Sequence, residues 1–123
     1  MKVLIVDDDM IVVESCRRIL NAEGIETHVA GTVEEAEAVL DIEAFDAMIT
    51  DIKMPTQDGF QLIAWAKTHK PEMIVLMMTG YLTPETQDKG LRSGTDAFIA
   101  KPFTPDELIS TLYDTLKTRN HGG

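Results

Sequence analysis

The chain has 123 residues, 44% of them hydrophobic and 26% charged, which is the composition of one globular domain and neither a disordered nor a membrane one. Eleven Lys and Arg against twenty-one Asp and Glu give a net charge of -10, the wrong sign for gripping a phosphate backbone, so direct nucleic-acid binding by this domain is excluded. No apolar stretch approaches the ~20 residues of a membrane span, and Met1-Lys2 followed by Val3 to Val6 is too short for a signal-peptide core; a cytoplasmic protein is the default expectation.

In chain order, strand-like and helix-like segments alternate five times. Val3 to Val6 reads as a strand, and Ile11, Val12, Ser15, Cys16, Ile19 and Leu20 recur at helical spacing up to Gly24, a natural C-terminal cap. The lone Cys16 falls on the apolar stripe and is expected to be a buried structural thiol. Ile25, Thr27 and Val29 alternate as in a half-buried edge strand. Thr32-Val33-Glu34-Glu35 is a capping box ahead of Ala36, Val39 and Leu40. Ala47 to Ile49 is the third strand, and Gly59 to about His69 carries Leu62, Ile63 and Ala66 inward. Met73 to Met78 is apolar throughout, as a central strand should be. Thr83-Pro84 starts a helix that Gly94 ends, Ala97 to Ile99 is the last strand, and Thr104-Pro105-Asp106-Glu107 opens a final helix with Leu108, Ile109, Leu112 and Leu116 on its buried face. Residues 119–123 have no periodicity and read as a frayed tail or the start of a linker, leaving residues 1–118 as the domain. Trp65 and Tyr113 read as helix packing.

This alternation implies an α/β fold, a doubly wound five-stranded parallel sheet covered on both faces. Right-handed crossovers favour the flavodoxin-like strand order 2-1-3-4-5. Strands 1 and 3 are then neighbours at a switch point, and the residues just after the strands share one edge. Asp7-Asp8, Asp51, Thr79 and Lys101 all stand there. Three carboxylates so placed repel one another by about 1 to 4 kcal/mol per pair, a repulsion that Mg²⁺, with its preference for oxygen ligands, would remove. Asp9 is left to cap the first helix. No GxGxxG or P-loop is present, which argues against dinucleotide or nucleoside-triphosphate binding.

The acidic pair Asp7-Asp8, the stretch Asp51-x-x-Met54-Pro55-x-x-Asp58-Gly59, Thr79-Gly80 and Lys101-Pro102-Phe103 together resemble the receiver domain of bacterial response regulators, over residues 2 to 118. The resemblance implies a phosphorylation-activated switch of a two-component system, a signalling phosphoacceptor rather than an enzyme, with only Mg²⁺-dependent self-phosphorylation and self-dephosphorylation. It implies that Asp51 takes the phosphoryl group and that Asp7, Asp8, Asp51 and the carbonyl of Lys53 hold Mg²⁺. Thr79 would bond a phosphoryl oxygen and Lys101 would pair with the group, aimed by a cis Lys101-Pro102 bond. Phe98 matches the switch aromatic, which would remodel the surface of helix 4, strand 5 and helix 5. Lys53 and Tyr81 would flank the path of the hydrolytic water and tune the lifetime of the signal. The implied partners are a sensor histidine kinase or phosphotransfer protein, a downstream effector domain or protein, and a phosphorylation-dependent second copy. Two alternatives stay open: a phosphatase similar to the haloacid dehalogenases with Asp7 as nucleophile, and an unphosphorylated pseudo-receiver that only binds proteins.

Overall fold

A computed structural model describes residues 1–54 and 58–121. Its elements run β1 (Lys2–Val6), α1 (Met10–Ala22), β2 (Glu26–Ala30), α2 (Val33–Ile42), β3 (Ala47–Asp51), α3 (Gly59–His69), β4 (Ile74–Thr79), α4 (Pro84–Ser93), β5 (Ala97–Ala100) and α5 (Pro105–His121). All strand pairs are parallel, in the order β2-β1-β3-β4-β5, as the alternation implies. Pro55 of the motif lies outside the described residues.

Side chains alternate across the sheet and build two cores. Leu4, Val6, Met48, Val75 and Met77 face α2 and α3, where Val33, Ala36, Leu40, Leu62, Ile63 and Ala66 meet them. Val3, Ile5, Ile49, Ile74, Leu76 and Met78 face α1 and α5, against Val13, Cys16, Leu20, Leu108 and Leu112. Strands β3 and β4 are buried along their whole length, since a central strand covered on both faces has no solvent side. The edge strand β2 behaves differently: Thr27, His28 and Val29 are all half-buried, and Ile25 is buried just ahead of the strand. Burial pushes the Cys16 thiol up to about 12, with the Asp7 charge adding to the rise, so the thiol is an inert part of this core.

The caps close as their residue types require. Asp9 accepts from the Ile11 N–H at 2.9 Å, and Gly24 and Gly94 take left-handed φ values of 78° and 107° at the helix ends. Thr104 and Glu107 bond each other's N–H groups reciprocally. The α2 box is shifted, because Glu35 reaches back to the Gly31 N–H instead of that of Thr32.

Two expectations need correction. Tyr113 is 39% exposed rather than packed, while Trp65 does lie against the α2/α3 core. The final helix also continues through His121, so residues 119–121 are not a frayed tail. Arg119 explains the extra turn: it donates to the Pro71 carbonyl and stands 3.6 Å from Asp96. Asp96 is a hub at the lower end of the sheet, accepting from the Val75 N–H at 2.8 Å and from Lys67 Nζ at 2.7 Å. Four segments distant in sequence are joined there, and no short-range pattern encodes such a junction.

Removing the Asp96 carboxylate strands the N–H of buried Val75 and takes from the Lys67 ammonium its charged partner, leaving it the Met73 carbonyl at 3.2 Å. Asp96→Ala is expected to lower stability by about 2 kcal/mol, and Arg119→Ala, the loss of an exposed pair, by about 0.5 kcal/mol. Urea midpoints at unchanged m-value check the order; equal losses would show that Asp96 is no hub.

Candidate functional site

Strand register decides which residues meet. Val6 is paired with Thr50, Asp51 with Met78, and Thr79 with Ala100, so Asp7, Asp51, Thr79 and Lys101 stand together at one edge. The Lys101 N–H also donates to the Thr79 carbonyl at 2.8 Å, which extends the pairing beyond β5. The Lys101-Pro102 peptide bond is cis.

Asp7, Asp8 and Asp51 each present a carboxylate oxygen within 4.8 Å of the others. Asp7 is 1% exposed and Asp51 8% exposed, whereas Asp8 is exposed. Both Asp7 oxygens are engaged, Oδ1 by the Asp9 N–H at 2.9 Å and Oδ2 by Lys101 Nζ at 2.9 Å. The Asp51 Oδ1 atom accepts from the Lys53 N–H at 3.3 Å, and its Oδ2 lies 3.5 Å from Lys101 Nζ. Burial lowers the Lys101 pKa, but the hydrogen bond to Asp7 and the charges of Asp51 and Asp7 outweigh it and leave a raised value. Lys101 is therefore a cation fixed between two acids. This set of hard oxygen donors fits a divalent ion such as Mg²⁺.

Around this centre the turn after β3 folds tightly. Asp58 caps α3 through the Phe60 N–H at 2.8 Å, and a methyl at Gly59 would lie 2.5 Å from Ile52 Cα and 2.6 Å from the Asp51 carbonyl oxygen. Only glycine lets the chain close so near the acidic centre. Thr79 is buried, its Oγ1 accepting from the Tyr81 N–H at 3.0 Å. Lys53 and Tyr81 are both exposed, and they meet: Lys53 Nζ lies 4.2 Å over the Tyr81 ring. Phe98 is half-buried on β5 and packs toward the α2/α3 core. Sequence reasoning did not single out Thr50, whose hydroxyl donates to the Asp51 carbonyl at 2.8 Å, nor Gly90 and Lys89 on α4. A threonine inside a strand and a glycine inside a polar helix carry no signal until their neighbours are known.

The family model of the response regulator receiver domain matches residues 3–113. The chain is a response regulator receiver domain. It is similar to the response regulator protein FleR of Pseudomonas aeruginosa, 35% identical over 90% of this chain and 24% of FleR. It is also similar to the transcriptional regulatory protein PmrA of Pectobacterium parmentieri, 32% identical over 99% of this chain and 54% of PmrA. The receiver thus spans about a quarter and about half of these two relatives. A CheY-like receiver domain structure from Methanospirillum hungatei superimposes with a TM-score of 0.93 at 35% identity, covering 99% of this chain and 98% of that one. The chemotaxis response regulator CheY4 of Vibrio cholerae gives a TM-score of 0.87 at 30% identity, covering 93% and 97%. Membership of this two-component family is consistent with a phosphorylation-activated switch and gives no support to the phosphatase alternative. Among the described residues no helix is long and apolar enough to cross a membrane.

Burial lifts the pKa of the Asp51 carboxyl, the Lys101 cation pulls it back and the Asp7 charge adds to the lift; the net is a value above the ordinary one. Such a group binds more protons folded than unfolded across that window. Its contribution to stability is therefore full below the unfolded pKa and is lost as pH rises through the folded one. Metal-free Asp51→Asn should be more stable than the wild type at neutral pH, and the gap should close on acidification to about pH 4. Urea denaturation at both conditions checks this; a gap of constant width would assign the gain to something other than ionisation.

Proposed function

We propose that this receiver accepts a phosphoryl group on Asp51 from the phosphohistidine of a sensor histidine kinase or phosphotransfer protein and passes the signal on through the surface of α4, β5 and α5. The observation that carries the reading is the meeting of Asp51 with Asp7, Asp8 and Lys101 at one strand edge. Asp7, Asp8 and Asp51 would hold Mg²⁺, with the Lys53 carbonyl as a further ligand. Bound there, the ion supplies charge neutralisation for the carboxylates and the phosphoryl oxygens.

The chain's own residues do the rest. An Asp51 oxygen attacks phosphorus, the P–N bond breaks toward the imidazole, and an acyl phosphate remains. Asp7 is the poorer nucleophile, since its two oxygens are each held at 2.9 Å, whereas those of Asp51 are held more loosely, at 3.3 and 3.5 Å. Lys101 neutralises developing charge on the equatorial oxygens, and Thr79 orients one of them, with alignment and charge as the main catalytic needs. An apolar groove of about 530 Å³ beside the cleft, with Ile11, Val12, Ile19, Pro102 and Phe103 in its wall, includes Lys101 itself. That continuity supports the groove as the docking place for the donor-bearing segment of the kinase in this reading. The same chemistry allows self-phosphorylation from small donors and self-dephosphorylation by water. Effector domains and a phosphorylation-dependent dimer belong to the output side of this reading, and a cytoplasmic location fits it.

Phosphodonor and Mg²⁺ should label Asp51 alone, as mapped by mass spectrometry, and Mg²⁺ at 100 times its dissociation constant should add about 2.7 kcal/mol to stability. Asp8→Asn, at an exposed ligand position, should abolish most of that gain. Label on Asp7 would establish the phosphatase reading instead, and no label with an intact fold would establish the pseudo-receiver.

Signal lifetime depends on water reaching phosphorus in line with the Asp51 oxygen. In this reading the Lys53–Tyr81 pair flanks that path, and displacing an attacking water by about 1 Å can cost on the order of 100-fold in rate. Phosphate release should be slow in the wild type and faster in Tyr81→Ala, and equal release rates at saturating Mg²⁺ would remove the shielding role.

A further inference from the structure

Helix α4 has a strongly polar sequence, PETQDKGLRS, and among the described residues Gly90 is its only buried one. A glycine inside a helix is less favourable than alanine, and the positive φ values belong to Gly24 and Gly94, so backbone conformation does not demand glycine at position 90. Space does. A methyl there would lie 2.8 Å from Met77 Sδ, 3.1 Å from Met77 Cε and 3.0 Å from Phe98 Cε1, and Met77 and Phe98 are register partners across β4 and β5.

We propose that Gly90 is the seat of the Phe98 ring edge, a notch that sets the resting position of α4 and the rotamer of Phe98 together; this rests on the switch reading of Phe98. With the ring seated, α4 lies down on the sheet through Gly90. When the ring turns away one wall of the notch is gone, and the packing of α4 goes with it, because interiors do not keep voids of ring size. Next to the notch, Lys89 Nζ lies 4.7 Å over the Phe60 ring and 3.9 Å from Asp58 Oδ2. The helix thereby also has a light contact with the start of α3 at the same point. Lys89 is the pivot, and Gly90 senses the ring.

Amide hydrogen exchange of α4 and ¹⁹F spectra of fluorophenylalanine-labelled protein test this. Gly90→Ala should move the Phe98 resonance without any phosphodonor and speed α4 exchange, because the methyl and the ring compete for one space. In a Phe98→Leu background the same change should slow α4 exchange, since the higher helix propensity of alanine is then opposed only by the flexible end of Met77, which can turn into the space the ring leaves. Phe98→Leu alone should speed α4 exchange about tenfold, which decides the matter if Gly90→Ala does not fold. An effect of Gly90→Ala with the same sign in both backgrounds, or unchanged α4 exchange in Phe98→Leu, would overturn the proposal. If the wild type takes up phosphate on Asp51 while its Phe98 resonance stays fixed, the notch fails as a switch and the phosphoacceptor reading survives.

Discussion

The structure turns on like charge gathered at the C-terminal edge of a parallel sheet. Placing β1 beside β3 brings the carboxylates of Asp7, Asp8 and Asp51 within 4.8 Å, and each such pair repels by about 1 to 4 kcal/mol at effective dielectrics between water and a protein surface. Two cores on either face of the sheet hold the strands in that register. The Lys101 ammonium, reaching both Asp7 and Asp51, relieves only part of the repulsion, and burial leaves the Asp51 pKa raised. The fold therefore keeps its acidic centre short of cations and sensitive to any charge that arrives there.

Anchoring is uneven around this centre, and the unevenness suits a switch. Helices α1, α2 and α3 each bury several apolar side chains, whereas among the described residues α4 buries Gly90 alone. A lightly held element needs only a small free-energy bias to change its population. The opposite end of the sheet is tied down: Asp96 gathers Lys67 from α3, Val75 from β4 and Arg119 from α5. Motion is thus favoured in α4 and opposed at the base.

Much of the fold was legible in the chain. Helix spacing, the capping residues Asp9, Thr32, Thr83 and Thr104, the stop glycines Gly24 and Gly94 and the apolar runs of β3 and β4 act over a few residues, so neighbours in sequence are enough to read them. The candidate site was legible because each of its residues stands at the end of a strand or within two residues past it, and strand order then fixes the meeting. Misreadings arose where distance in sequence is large. The last turn of α5 looked like a tail because its reason, the Arg119 contacts with Pro71 and Asp96, lies in other segments. Tyr113 has an apolar body that fits a helix stripe, yet it faces outward.

The sequence by itself determined the ten elements, their order and which residues stand at strand ends, since local hydrogen bonding and the period of side-chain burial dictate these. Only the tertiary structure decided that Lys101 bridges Asp7 across 94 positions of chain, that Lys53 lies over Tyr81, and that Gly90 leaves room for Phe98. These contacts depend on strand register and on the close packing of side chains from separate segments, and no local pattern carries that information.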